Sequence, residues 1–193
     1  MEIRLDEFAD GSHASVIFDR VTNRAIKIFK SYQHPSMEKS DYNEEGFNDY
    51  KRKIYQSELS AYKLISENTI RQFFPKHYTG ITIERVCDNA GVDISDQFLL
   101  ECALILDLIE GTSMKQNEIQ VTECYKKSGI NLENIFQELK KIGVNFYIDS
   151  NVFCSDSGLK IIDIATNDFV DFQIPLENNS DDPYLQLRKP KND

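Results

Sequence analysis

The chain has 193 residues, 40% of them hydrophobic, and a formal net charge of -10 with a pI near 4.8. That length fits one domain or two small lobes and buries a core without staples. The acidic balance excludes nucleic acid and anionic membrane as main partners, because phosphate contacts need clustered Lys and Arg, and no apolar run is long enough to span a bilayer.

Residues 3–8 (IRLDEF) alternate like a strand, 15–19 (SVIFD) form a second and 24–30 (RAIKIFK) a third. The turn RVTN joins the last two, so the spacing predicts an antiparallel meander. Residues 31–47 are polar, carry Pro35 and Gly46, and read as a loop. Residues 48–68 read as a helix with Ile54, Ala61, Tyr62 and Ile65 on one face. Residues 77–86 and 98–106 read as strands; the second is almost wholly apolar, which predicts a central or well-covered position. DLIEGTS then breaks the pattern at Gly111. Residues 131–142 make an amphipathic helix with Leu132, Ile135, Phe136 and Leu139 on one side. Lys140 and Lys141 fill its last turn and Gly143 caps it. Residues 147–165 (YIDSNVFCSDSGLKIIDIA) supply two short strands of a hairpin, and the polar tail 166–193 is expected to fray.

Four cysteines, Cys87, Cys102, Cys124 and Cys154, form no CxxC pair and read as reduced thiols of an intracellular protein. His13, His34 and His77 make no zinc cluster. The opening MEIRLDEF is no Sec signal, so the expected location is the cytoplasm or, by a non-Sec route, the inside of a host cell.

Six features carry chemistry. The turn ADGSHASV (9–16) lies between predicted strands, and small residues there let backbone N–H groups approach a phosphate; a plain hairpin loop is the simpler alternative. Lys27, in AIKIF, points opposite Ile26 and Ile28, either to a solvated face or beside phosphates. Glu58 sits within the apolar stripe of its helix, flanked by Ile54, Ala61 and Tyr62. A carboxylate there is costly unless paired, and Lys27 is a candidate partner; a stripe-edge glutamate reaching water is the alternative. Asp149 and Asp163 stand at the same end of the predicted hairpin, with Asn151 between them. Such oxygens suit Mg2+ bound with a triphosphate, or one carboxylate can take a proton from a hydroxyl. Ordinary turn and strand-end chemistry would also account for them.

In this order the features resemble the protein kinase family across residues 5–165. AIK is similar to the lysine of V-A-I-K, and LKIIDIA to the strand and metal aspartate of D-F-G, written here Asp163-Ile164-Ala165. The partial match of Ala9, Gly11, Ala14 and Val16 to G-x-G-x-x-G-x-V contains one true glycine. The resemblance implies an α+β, two-lobed protein kinase-like fold with an antiparallel N-lobe sheet plus one helix and a much reduced helical C-lobe. Its expected extents are an N-lobe at 1–106, a hinge at 107–113 and a reduced C-lobe at 114–193. It implies ATP and Mg2+ as cofactors. Lys27, Gly11, Ser12, Val16, Glu58, Asp107 and Ile109 would bind the nucleotide, and Asn151 and Asp163 the metal.

The catalytic loop departs from the family. Counting back from Asn151, the Asp position of H-R-D-x-x-x-x-N falls on Phe146 and the His position on Val144, which describes a pseudokinase. In a shortened register D-x-N replaces D-x-x-x-x-N, and Asp149 takes the catalytic role with Lys27. That compact form is similar to the minimal Hop-type, chaperone-targeting kinases that some bacteria inject into host cells. GSHASVIF is similar to the first loop of those enzymes. Only 30 residues follow Asp163, which leaves no A-P-E motif and little room for a phosphorylated activation loop. The expectation is a monomeric serine/threonine kinase acting on a protein, a host protein among the candidates. The competing expectation is a catalytically dead binding, adaptor or immunity module.

Overall fold

The computed structural model describes residues 1–37, 43–146 and 152–166. Five antiparallel strands form the main sheet in the order β2 (Phe8–Asp10), β3 (Ala14–Asp19), β4 (Arg24–Lys30), β7 (Phe98–Asp107), β5 (His77–Tyr78). The meander therefore exists as β2–β3–β4, and the apolar run of β7 lies between β4 and β5, covered as its composition requires. One face of the sheet carries Ile17, Ile26, Ile28 and Ile105. It is covered by a parallel pair, β1 (Glu2–Arg4) with β6 (Arg85–Cys87), which adds Ile3 and Val86. The other face carries Ala14, Phe29, Leu99 and Cys102 against Ile54 of helix α1 (Glu44–Ser66).

Below the sheet lie α2 (Glu118–Lys127) and α3 (Leu132–Lys141). With them are β8 (Thr112–Ser113), the hairpin β10 (Val152–Ser155) and β11 (Gly158–Ile161), and the pair β9 (Val144–Phe146) and β12 (Ile164–Thr166). Tyr62 and Ile65 of α1, Val121, Ile135, Leu139, Val152, Ile161 and Ile164 share one core there, so α1 belongs to both halves.

Several expectations change. The strand expected at 3–8 splits, because Ile3 is buried over the outer face of the sheet rather than within it, and only residues from Phe8 onward join the meander. The loop expected through residue 47 ends at Asn43. Its side chain accepts from the Gly46 N–H at 2.8 Å, and Glu44 and Glu45 follow at the positive end of the helix. The strand expected at 77–86 becomes β5 and β6 in different sheets, with Gly80 at φ +77° between them. Helix α2 had no clear apolar stripe to announce it: its one buried residue is Val121, and Ile119 is exposed.

The reading of four reduced cysteines is corrected. Cys124 of α2 and Cys154 of β10 are joined in a disulfide, with Cα atoms 6.1 Å apart; Cys87 and Cys102 are free and buried. Thirty residues separate the pair in sequence, and the packing of α2 over the hairpin brings them together. Spacing alone carried no sign of it. Gly111 permits the same approach from the other side, since a Cβ there would stand 2.2 Å from the Cys154 carbonyl oxygen.

Unfolded without reductant, the protein should show two reactive thiols, rising to four after reduction. Reduction should cost about 3–4 kcal/mol of stability, from the chain entropy of a loop of this size. Four thiols in the unreduced sample would refute the bond.

Candidate functional site

The alternation of β4 sends Ile26 and Ile28 to the outer core and turns Lys27 toward α1. There the Lys27 Nζ donates to both Glu58 oxygens, at 2.9 and 2.8 Å, and to Asp163 Oδ1 at 2.7 Å. The Lys27 and Glu58 side chains are 14% and 10% exposed, that of Asp163 48%. Neither the solvated lysine nor the stripe-edge glutamate describes this chain. Asp163 stands just before β12 at φ +52°, a left-handed conformation that costs a non-glycine residue about 1–2 kcal/mol. Two contacts hold it there. β12 pairs antiparallel with β9, and the Thr166 N–H donates to Ser57 Oγ at 3.0 Å, beside Glu58 on the helix.

One ammonium faces two carboxylates, so the triad holds one surplus negative charge. Burial opposes the charge on Lys27, but Glu58 and Asp163 outweigh it and raise its pKa above the ordinary lysine value. Burial also pushes Glu58 up, to about 7; Lys27 offsets this in part and Asp163 adds to it. The two upward shifts agree, since a triad short of positive charge holds protons at both ends. The Tyr62 hydroxyl is buried beside this charge, its pKa raised by burial and by Asp163 and Glu58, and it has no hydrogen-bond partner among the described residues.

The first turn also lies against α1. The Gly11 N–H donates to the Ala14 carbonyl at 2.9 Å. Lys30 Nζ donates to the Gly11 carbonyl at 2.7 Å and pairs with Asp10 at 2.7 Å. The Ser12 carbonyl accepts from Lys51 Nζ at 3.5 Å. Val16 stands directly across from Lys27 in the β3–β4 register. Asp107, at the end of β7, accepts from the Lys76 N–H at 2.9 Å and the Tyr78 hydroxyl at 2.7 Å, so its carboxylate is engaged away from Lys27. Ile109 is half-buried beyond that strand. Asp149 and Asn151 lie outside the described residues.

The structure thus brings together Lys27, Glu58 and Asp163, with Val16 and the Gly11–Ser12 turn nearby. Sequence reasoning missed Ser57 and Lys51 as neighbours of the site, and had placed Tyr62 beside Glu58 by helical spacing. Lys51 had left a signal, a cation seven residues before Glu58 on the same helical face. Among the described residues, no group of three or more His, Cys, Asp or Glu is placed to hold a metal, and no helix is long and apolar enough to cross a membrane. A lone half-exposed carboxylate beside surplus negative charge fits Mg2+ arriving with phosphate oxygens, since Mg2+ takes only one or two protein carboxylates.

No protein family profile matches the chain, and no curated protein is similar to it in sequence. Its fold is similar to that of the Rio2 kinase of Chaetomium thermophilum, solved as an ADP/Mg2+-phosphoaspartate complex. The TM-score is 0.52 at 12% identity, over 84% of this chain and 48% of the other. The chain therefore spans about half the length of that structure. Its fold is α+β and kinase-like, with an antiparallel sheet, one helix against it and few helices below.

A carboxyl whose pKa is higher folded than unfolded adds stability below its unfolded value and loses it as pH rises through the folded one. Glu58 should therefore stabilise the wild type relative to Glu58→Gln most near pH 4.5, with the difference shrinking by about 1–3 kcal/mol toward pH 8. Urea unfolding of both proteins across that range checks this; a difference that grows with pH would contradict it.

Proposed function

We propose that the chain is an ATP- and Mg2+-dependent phosphotransferase acting on a protein hydroxyl, a minimal serine/threonine protein kinase. The observation that carries this reading is the three-way contact of Lys27 with Glu58 and Asp163. Three residues separated by up to 136 positions meet at one ammonium, beside a small-residue turn. The similar fold belongs to a kinase solved with ADP and Mg2+, which supports the nucleotide and the metal.

In this reading 1–106 is the N-lobe, 107–113 the hinge and 114–193 the reduced C-lobe. Lys27, fixed by Glu58, and the 11–14 turn orient the phosphates, with Val16, Asp107 and Ile109 completing the nucleotide site. Asp163 and Asn151 hold Mg2+, which supplies charge neutralisation on the phosphates. Asp149 accepts the proton of the acceptor hydroxyl as its oxygen bonds to the γ-phosphorus and the bond to ADP breaks. Positioning and electrostatics supply most of the acceleration. Among the described residues the C-lobe has α2 and α3 and no further helix to wall a small-molecule acceptor, which favours a protein acceptor. The short loop and the GSHASVIF turn favour an injected bacterial effector acting on a host protein as a monomer.

Incubated with labelled ATP, Mg2+ and a eukaryotic lysate, the wild type should transfer label, and Asp163→Ala should lose at least about a hundredfold of that activity. Mg2+ alone should leave the unfolding temperature unchanged, and Mg-ATP should raise it. No transfer and no Mg-ATP shift would refute the enzyme and favour the binding module that Phe146 suggests.

A further inference from the structure

Three lysines gather beneath the 10–14 turn, and two have carboxylate partners: Lys27 with Glu58 and Asp163, Lys30 with Asp10. Lys51 has none among the described residues, although it is only 2% exposed. Its Nζ meets His13 Nδ1 at 2.7 Å and the Ser12 carbonyl at 3.5 Å, and lies over the rings of Phe47 and Tyr50 at 4.8 and 5.9 Å. A buried cation without an anion is costly, and an apolar residue would suit a helix face that also carries Phe47 and Ile54. Packing gives no reason for a lysine there, but its contacts do.

We infer that Lys51 is a positioning residue whose ammonium, through His13 and the Ser12 carbonyl, latches the 11–14 loop onto α1 and so fixes that loop for the phosphates of a nucleotide. The inference rests on the nucleotide reading proposed above. Lys51 and Glu58 are seven residues apart on one face of one helix, so the latch and the Lys27 ion pair act on the same rigid body. The loop itself is exposed at Gly11, Ser12 and His13. Its other ties run to β4, where the Lys30 N–H donates to the His13 carbonyl at 3.0 Å and Lys30 Nζ to that of Gly11. Without Lys51, the loop keeps these ties to the sheet and only ring and apolar contacts to the helix, the His13 ring edge-on to Tyr50 at 6.0 Å and Ala14 against Ile54.

The charges around the latch set its pH range. Lys51 faces His13 from the loop, Lys30 of β4 with its partner Asp10 of β2, and Tyr50 from its own helix, while Lys27 faces His13 from further along β4. Burial and then Lys30 lower the Lys51 pKa to about 8. Burial of the ring, then Lys51, Lys27 and Lys30, lower that of His13 to about 4, although the residue keeps an edge in solvent. From pH 5 to 7 His13 is thus a neutral acceptor for a charged Lys51. The latch weakens as pH rises through about 8. Fold stability moves the other way, because the cost of burying the charge disappears between about 8 and the unfolded value of 10.5.

The test uses the full chain, as wild type, Lys51→Met and Lys51→Arg. Hydrogen exchange of the 11–14 amides, corrected for intrinsic rate, should be about tenfold faster in Lys51→Met at pH 7 and unchanged in β4, as loss of one charge-assisted contact requires. The unfolding midpoint of Lys51→Met should be equal to or above that of the wild type. Mg-ATP affinity should fall about five- to tenfold in Lys51→Met. It should decline from pH 7 to 9.5 in the wild type and stay level in Lys51→Arg, which keeps its charge. Equal loop exchange in wild type and Lys51→Met overturns the latch. Faster exchange with unaltered Mg-ATP affinity overturns its positioning role. A wild type that binds no Mg-ATP overturns the nucleotide reading instead, and the exchange comparison still decides the latch.

Discussion

One ammonium shared by two carboxylates organises this molecule. Lys27 comes from the sheet, Glu58 from the helix packed on it and Asp163 from the strand pair below. Each is expensive alone: the lysine and glutamate are nearly buried, and the aspartate sits in a left-handed conformation. Together they compensate one another except for one negative charge. In the proposed reading that remainder favours a cation at Asp163 and lets Lys27 exchange a carboxylate for a phosphate.

Helix α1 makes the convergence possible because it is core to both halves. Ile54 packs with Phe29 and Leu99 above, and Tyr62 and Ile65 pack with Leu139 and Ile164 below. Ser57, next to Glu58, takes the Thr166 N–H, so the strand following Asp163 is fixed to the same turn of helix that carries the glutamate. On the far side of the hairpin, the Cys124–Cys154 bond ties α2 to β10 where that helix buries only Val121. A small lower half thus gains by covalent linkage what its apolar surface does not supply.

The legible parts of the sequence were those governed by periodicity. Alternation in RAIKIFK separated Lys27 from Ile26 and Ile28, and helical spacing put Glu58 inside an apolar stripe; both describe the structure. What failed was governed by contacts distant in sequence. Ile3 leaves the meander because Val86 offers it a buried place. Gly46 read as a loop signal, but Asn43 needed its N–H as a cap. Cys124 and Cys154 find each other only after α2 packs on the hairpin, and α2 itself carries too little amphipathy to be seen. For Tyr62, spacing gave the burial of the ring and its place beside Glu58, but not the second charge near its hydroxyl, which depends on where Asp163 comes to rest.

The same contacts bear on regulation. A kinase-like enzyme is commonly switched by moving its glutamate helix, which breaks and remakes the lysine–glutamate pair. Here the pair is formed, and α1 is held at three levels. Lys51 reaches the first loop, Glu58 reaches Lys27, and Ser57 reaches Thr166. To swing outward, the helix would have to break all three and expose Tyr62 and Ile65, which are 3% and 2% exposed. Such a helix is a poor moving part and a good scaffold. It gathers Lys27, Lys30 and Lys51 under one turn of a chain whose net charge is -10, with Glu58, Asp163 and Asp10 set against the first two. In the proposed reading, attraction of a polyphosphate rests on the short-range field of Lys51, the one of the three without a carboxylate partner among the described residues, a field least screened where the side chain is buried.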